Sequence, residues 1–100
     1  MAFSLAQKAR EVRPNDPSIA DTLGWALYRR GAPADLKRAE ELLQSARGKL
    51  TSPTSKYHLG ATLIALGKTA EGKTLLQQAL ASSSDFPEAE QARRMLGQRS

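Results

Sequence analysis

Apolar residues recur along this chain at intervals of three and four positions, and strict alternation of apolar and polar residues is almost absent. This periodicity is typical of amphipathic α-helices rather than of β-strands. Proline and glycine divide the pattern into segments of helical length. We therefore predict an all-α chain with helices at residues 2–13, 17–30, 34–48, 53–66, 69–82 and 87–97.

The predicted helix boundaries follow from the chemistry of the residues that stand there. Asp16 and Ser52 can accept hydrogen bonds from the free amides at a helix start, and a proline follows each of them. Gly31 and Gly67 come after helical segments, where a residue in the left-handed conformation ends a helix at little cost. We therefore expect one helix to start after Asp16 and another after Ser52, and we expect these helices to end before Gly31 and Gly67.

Two helix pairs are copies of one another. Motifs in the first helix of each pair recur after 36 positions, and a motif in the second helix recurs after 33. The copies are Leu23-Gly24 with Leu59-Gly60, Gly31 with Gly67, and Ala39-x3-Leu43-x2-Ala46 with Gly72-x3-Leu76-x2-Ala79. A fixed period in this range indicates stacked helix pairs.

These motifs resemble the tetratricopeptide repeat, a unit of about 34 residues, and in particular the C-terminal repeats of bacterial proteins of this family. The resemblance implies a right-handed superhelical stack of antiparallel helix pairs in one domain, residues 1–100. That domain comprises a half repeat at 2–13, repeats at 17–48 and 53–82, and a capping helix at 87–97. We expect the chain to be the C-terminal part of a larger repeat protein.

Glycine and alanine residues mark the positions where we expect paired helices to contact each other. Gly24, Ala39, Gly60 and Gly72 occupy the family's small positions, where paired helices approach closely. The family's large aromatic residue is absent from both units, which carry Ala20 and Lys56 there. Between the paired helices of the first unit, residues 32–34 look like a three-residue insertion, and we expect a longer, splayed turn.

Composition and charge exclude several classes of function. The chain has no cysteine, so disulfides, thiolate metal sites and thiol nucleophiles are excluded. The net charge is +5, but the basic residues are spread from Lys8 to Arg99, and we expect them to lie mostly on solvated helix faces. No apolar run approaches the roughly 20 residues of a membrane-spanning helix. The compartment stays open, since cytoplasm and periplasm are both compatible with the sequence.

The sequence predicts no catalytic residue, no metal site and no cofactor. The single histidine, His58, has no sequence-local partner set, and we expect an ordinary solvent or interhelix position for it. Glu40 and Glu41 are adjacent and would point about 100° apart on a helix, so they cannot form a carboxylate pair. The glycines lack the strand and spacing of a phosphate-binding loop.

A binding groove is what the resemblance implies instead. Stacked helix pairs present a concave groove lined by the first helix of each pair. The family's ligand-facing positions fall on Ser18, Asp21, Trp25, Tyr28 and Arg29 in the first unit and on Thr54, Tyr57, Ala61 and Ile64 in the second. Aromatic residues and arginine often anchor protein interfaces. The open alternative is that Trp25 and Tyr28 pack against a neighbouring helix.

We therefore predict a non-catalytic protein–protein interaction scaffold that binds a peptide or protein segment in a helical groove. The alternative is a structural module that forms homo-oligomers through an exposed apolar end around Phe3, Leu5 and Ala6. A third, less favoured class is an anionic-polymer binder, with Trp25, Tyr28 and Arg29-Arg30 as a platform for single-stranded nucleic acid. We expect no nucleic-acid partner and no membrane span.

Overall fold

A computed structural model describes residues 16–49, 52–83 and 85–97. Within these ranges the chain forms five α-helices and no strand, so the predicted all-α fold is confirmed. The predicted helix at 2–13 lies outside the described residues. The helices are α1 (Pro17–Arg30), α2 (Pro33–Ala46), α3 (Pro53–Ala65), α4 (Thr69–Ser82) and α5 (Ala89–Met95).

The first helix of each pair starts where the capping residues predict. The Asp16 carboxylate accepts hydrogen bonds from the amides of Ser18 at 2.9 Å and Ile19 at 3.2 Å. At the start of α3, the Ser52 hydroxyl accepts a hydrogen bond from the Ser55 amide at 3.2 Å. Each helix then begins with a proline, whose missing N–H costs nothing at a position without an intrahelical partner.

Glycine ends these helices by turning the backbone left-handed. Gly31 has a φ of 80° and Gly67 a φ of 88°, a conformation that costs other residues free energy. The Gly31 amide donates a hydrogen bond to the Leu27 carbonyl at 3.3 Å, which satisfies one of the free carbonyls at the end of α1. The predicted glycine stops are therefore confirmed.

The expectation of a splayed turn at Ala32, Pro33 and Ala34 is wrong. The turn consists of Gly31 and Ala32 alone, because α2 already begins at Pro33. Proline suits a first helical position, so the inserted residues extend α2 at its start instead of lengthening the loop. Asp35 lies in this first turn, and its Oδ2 is 3.3 Å from the Nε of Arg30.

The chain divides into two compact units, Met1–Leu50 and Thr51–Ser100. In the first unit, α1 packs on α2 and buries a core of alanine and leucine side chains. Gly24 allows this approach, since a Cβ there would lie 2.8 Å from Leu43 Cγ and 3.3 Å from the Ala39 carbonyl oxygen. The core cluster consists of Ala20, Leu23, Leu27, Ala39, Leu42 and Ala46.

The second unit has a tighter helix pair. A Cβ on Gly60 would lie 2.9 Å from the Gly72 carbonyl oxygen. A Cβ on Gly72 would lie 2.6 Å from the Gly60 carbonyl oxygen. Such distances are shorter than real Cβ contacts, so neither position can hold a larger residue unless the helices separate. The predicted packing role of these glycines is confirmed.

The last helix, α5, is shorter at both ends than the predicted helix at 87–97. It packs on α3 and α4 and buries Ala89 and Ala92. Glu90 forms ion pairs with Arg93 at 3.7 Å and Arg94 at 3.6 Å, which gives the helix a charged outer side. No helix among the described residues is both long and apolar enough to span a bilayer.

Candidate functional site

The five groove positions of the first unit lie together on one face of α1. Ser18, Asp21, Trp25, Tyr28 and Arg29 follow steps of three, four, three and one, which places them within about a quarter of the helix circumference. Ser18 and Arg29 are exposed, and the other three are partly buried. These residues flank the buried face of α1. We call this set the α1 face.

An aromatic pair forms the centre of the α1 face. The rings of Trp25 and Tyr28 stack with centroids 4.5 Å apart and planes 9° apart. Tyr28 also packs against the alanine and leucine core of the first unit. The pair thus joins surface and core, because Tyr28 contacts buried side chains on one side and Trp25 on another. The packing of Tyr28 agrees with the interpretation that these rings pack within the fold, and their contact with a ligand stays a prediction.

Charge on the α1 face is distributed unevenly. Arg29 is exposed and makes no ion pair with any of the residues that the structure describes. Its neighbour Arg30 pairs with Asp35, and Asp21 has an interaction within the chain. Arg29 is therefore the charged side chain of this face that has no ion pair among the described residues.

In the second unit, two predicted groove positions are engaged within the chain. The Thr54 hydroxyl donates a hydrogen bond to the Glu88 carboxylate at 3.2 Å, which links the start of α3 to the residue before α5. Tyr57 is 5% exposed, and its ring is tilted by 57° against that of His58 with centroids 6.1 Å apart. Neither side chain presents the surface that its counterpart on α1 presents.

Ala61 and Ile64, which correspond to Trp25 and Tyr28, also differ from them. Ala61 is buried. Ile64 is partly buried, and its Cγ1 lies 2.7 Å from where a Cβ of Gly72 would be, so it packs over that glycine. In the first unit Ala39 takes the place of Gly72, and it is completely buried.

His58 lies in the interior, consistent with an interhelix position. It is 8% exposed, and its carbonyl accepts a hydrogen bond from the buried Thr62 hydroxyl at 2.8 Å. Across the described ranges, no group of three or more histidine or acidic residues is arranged to hold a metal ion.

The sequence analysis does not predict the contact between Glu88 and Thr54. The structure places the Glu88 carboxylate 3.2 Å from the Thr54 hydroxyl. The two residues are 34 positions apart, and no local pattern links them. The repeat period itself is the one signal that could have suggested the contact, because it aligns the start of α5 with the start of α3.

Comparison with known proteins supports the tetratricopeptide-like assignment over part of the chain. A TPR repeat-containing protein of Pseudomonas aeruginosa is 39% identical to it over 59 residues, or 59% of this chain. The match spans 10% of the relative's length, so the chain corresponds to about a tenth of that protein. No family model matches the chain, and no solved structure matches it.

Proposed function

We propose that this tetratricopeptide-like chain is a non-catalytic protein-interaction scaffold that binds a segment of another protein on the α1 face. The observation that carries the proposal is the stacked pair of Trp25 and Tyr28 beside the exposed Arg29, which has no ion pair among the described residues. These are the residue types that most often anchor interfaces. The similarity to a repeat-containing protein supports a scaffold function rather than catalysis.

The half-buried state of the aromatic pair favours binding over a purely structural function. A ring that packs on the core from one side is already held in place, so its side chain loses less conformational entropy when a partner binds there. Tyr28 has this support from the core cluster, and Trp25 rests on Tyr28. The α1 face is thus preorganised at its centre and charged at one end.

Affinity capture from nuclease-treated lysate tests the proposal, with the full chain compared with its Trp25→Ala/Tyr28→Ala variant. We expect specific proteins to be captured by the full chain and lost with the variant, while Lys73→Ala, on exposed α4 surface, captures the same set. Circular dichroism first establishes that all three proteins are helical. A captured protein supports the proposal only if, once purified, it binds the full chain and Lys73→Ala directly and binds Trp25→Ala/Tyr28→Ala more weakly.

Two results would contradict the proposal. Capture that is unchanged in a folded Trp25→Ala/Tyr28→Ala variant would place binding elsewhere on the chain. If the variant unfolds, the milder Trp25→Phe and Arg29→Ala variants replace it, because neither removes Tyr28 from the core cluster. Unchanged capture by both of these variants would likewise reject the α1 face.

A further inference from the structure

We infer that the α1 face selects a short extended segment in which a carboxylate side chain lies two positions from an apolar side chain. This inference rests on the proposed function and adds the chemistry of the partner. Three observations carry it: the difference between the two units, the length of the α1 face, and the exposed charge of Arg29, which no described residue pairs.

The difference between the units restricts the surface available for recognition to one helix. Thr54 is hydrogen-bonded to Glu88, Tyr57 and Ala61 are buried, and Ile64 packs over Gly72. The corresponding positions of α1 present two stacked rings and a guanidinium group. Recognition by side chains is therefore assigned to α1, and the same positions of α3 serve the structure of the second unit.

The length of the α1 face limits the length of the partner segment. Ser18 and Arg29 are eleven positions apart, so the face is about 16 Å long at a rise of about 1.5 Å per residue. An extended chain covers that distance with about five residues. The face therefore suits a short linear segment rather than a folded surface.

Charge complementarity determines what that segment carries. Arg29 lacks an ion-pair partner among the described residues, whereas Arg30 pairs with Asp35 and Asp21 has an interaction within the chain. An exposed guanidinium binds a carboxylate through paired N–H donors. The segment should therefore be acidic at the Arg29 end of the face.

The distance between Arg29 and the aromatic pair along α1 sets the distance between the acidic and the apolar side chain of the partner segment. Arg29 lies one helical turn after Trp25, a rise of about 6 Å along α1. In an extended chain, side chains two positions apart point the same way and are about 6.6 Å apart. An acidic residue over Arg29 therefore places the residue two positions away over the aromatic pair, where an apolar side chain fits.

Selection from a displayed library of random linear peptides, with the full chain as bait, tests this inference. We expect enriched peptides to share an Asp or Glu two positions from a large apolar residue. With Arg29→Glu as bait, the preference should change to Lys or Arg at the same position. The peptides selected on the native chain should bind this variant about threefold to tenfold more weakly, as is usual for an exposed charge pair that becomes repulsive.

Lys37→Glu is the matched control, because it makes the same charge change at an exposed residue of α2 that has no ion pair within the described part of the chain. If it shifts selection as far as Arg29→Glu does, net charge and not the α1 face selects the peptides, and the inference is wrong. Enriched peptides without the acidic residue that still require Trp25 and Tyr28 would reject this inference and retain the proposed function. The absence of any enrichment that depends on the aromatic pair would reject both.

Discussion

At the scale of single residues, the contact between Gly60 and Gly72 sets how closely α3 and α4 approach. In the first unit the equivalent pair is Gly24 and Ala39, and a Cβ on Gly24 would lie 3.3 Å from the Ala39 carbonyl oxygen. In the second unit the matching distance, from Gly60 to the Gly72 carbonyl oxygen, is 2.9 Å. The helix pair that has the Ala39 methyl group is thus more widely spaced than the pair that has Gly72 at the equivalent position.

We predict that Gly72→Ala lowers the free energy of unfolding by up to about 2 kcal/mol. The new Cβ would lie 2.6 Å from the Gly60 carbonyl oxygen and 2.7 Å from Ile64 Cγ1, and such overpacking costs about 1–3 kcal/mol. The better helix propensity of alanine offsets about 1 kcal/mol of that cost. Urea denaturation measures the difference. Gly48→Ala is the control, because no atom lies within 4 Å of its new Cβ, and equal effects would contradict the packing argument.

The capping carboxylate of Asp16 provides a second test at this scale. We predict that Asp16→Ala costs about 1 kcal/mol of unfolding free energy, because the amides of Ser18 and Ile19 lose their acceptor. Asp16→Asn should retain most of the stability, since its side-chain oxygen can accept the same bonds. Thermal unfolding followed by circular dichroism separates the two variants, and equal losses would show that charge rather than capping matters.

At the scale of elements, the extra turn at the start of α2 distinguishes the two helix pairs. Pro33 lies six positions before Ala39, whereas Thr69, at the start of α4, lies three positions before Gly72. The insertion does not lengthen the turn, which has two residues in the first unit and three, Leu66 to Lys68, in the second; each second helix begins two positions after the left-handed glycine. The insertion therefore lengthens α2 at its start and leaves the core register of Ala39 unchanged.

We predict that deletion of residues 32–34 leaves the first unit folded. The deletion brings Asp35 directly after Gly31, where it can cap a helix that starts at Leu36, whereas Ala32 provides no side-chain cap in the native chain. Far-ultraviolet circular dichroism should show the loss of about one helical turn with cooperative unfolding preserved. A non-cooperative product would mean that the extra turn is required for the pairing of α1 with α2.

The short helix α5 depends on two buried alanines, and we predict that Ala92→Asp detaches it. Ala92 is completely buried, and a carboxylate there would lose its hydration without a partner. Hydrogen exchange should then show loss of amide protection in α5, while α3 and α4 stay protected. Arg94→Ala, at a side chain that is 74% exposed, is the control. Protection lost equally in all three helices would show that α5 is integral to the unit.

At the scale of the whole molecule, the sequence predicts helices well and side-chain environments less well. The ends of α1 depend on neighbouring residues, Asp16 with Pro17 and Gly31, so local chemistry is sufficient to place them. The environments of Thr54 and Ile64 depend on contacts with Glu88 and Gly72, which lie on other elements.

The helix α3 shows why the side-chain environments of its residues cannot be predicted from the sequence. All seven residues from Tyr57 to Leu63 are buried, on every side of the helix. A repeat alignment assigns one ligand-facing stripe to each first helix, whereas burial depends on what packs around that helix. The repeat pattern therefore predicts α1 and α3 as equivalent, and the structure makes them different.

The net charge of the whole molecule gives a prediction that does not depend on the binding site. The chain carries +5 at neutral pH and has an isoelectric point of about 10.0, and proteins tend to precipitate where net charge vanishes. Turbidity measured against pH should therefore peak near pH 10. Lys37→Glu/Arg38→Glu lowers the charge from +5 to +1, so its turbidity maximum should move towards neutrality. An unmoved maximum would contradict this explanation.

The stacked rings of the first unit also have an optical consequence. Trp25 is the single tryptophan of the chain, and its indole lies nearly parallel to the Tyr28 ring at 4.5 Å. Two chromophores held in a fixed chiral arrangement give a near-ultraviolet dichroic band that vanishes when the arrangement is lost. The α1 face therefore carries its own spectroscopic label, and its integrity can be followed in the unmodified protein.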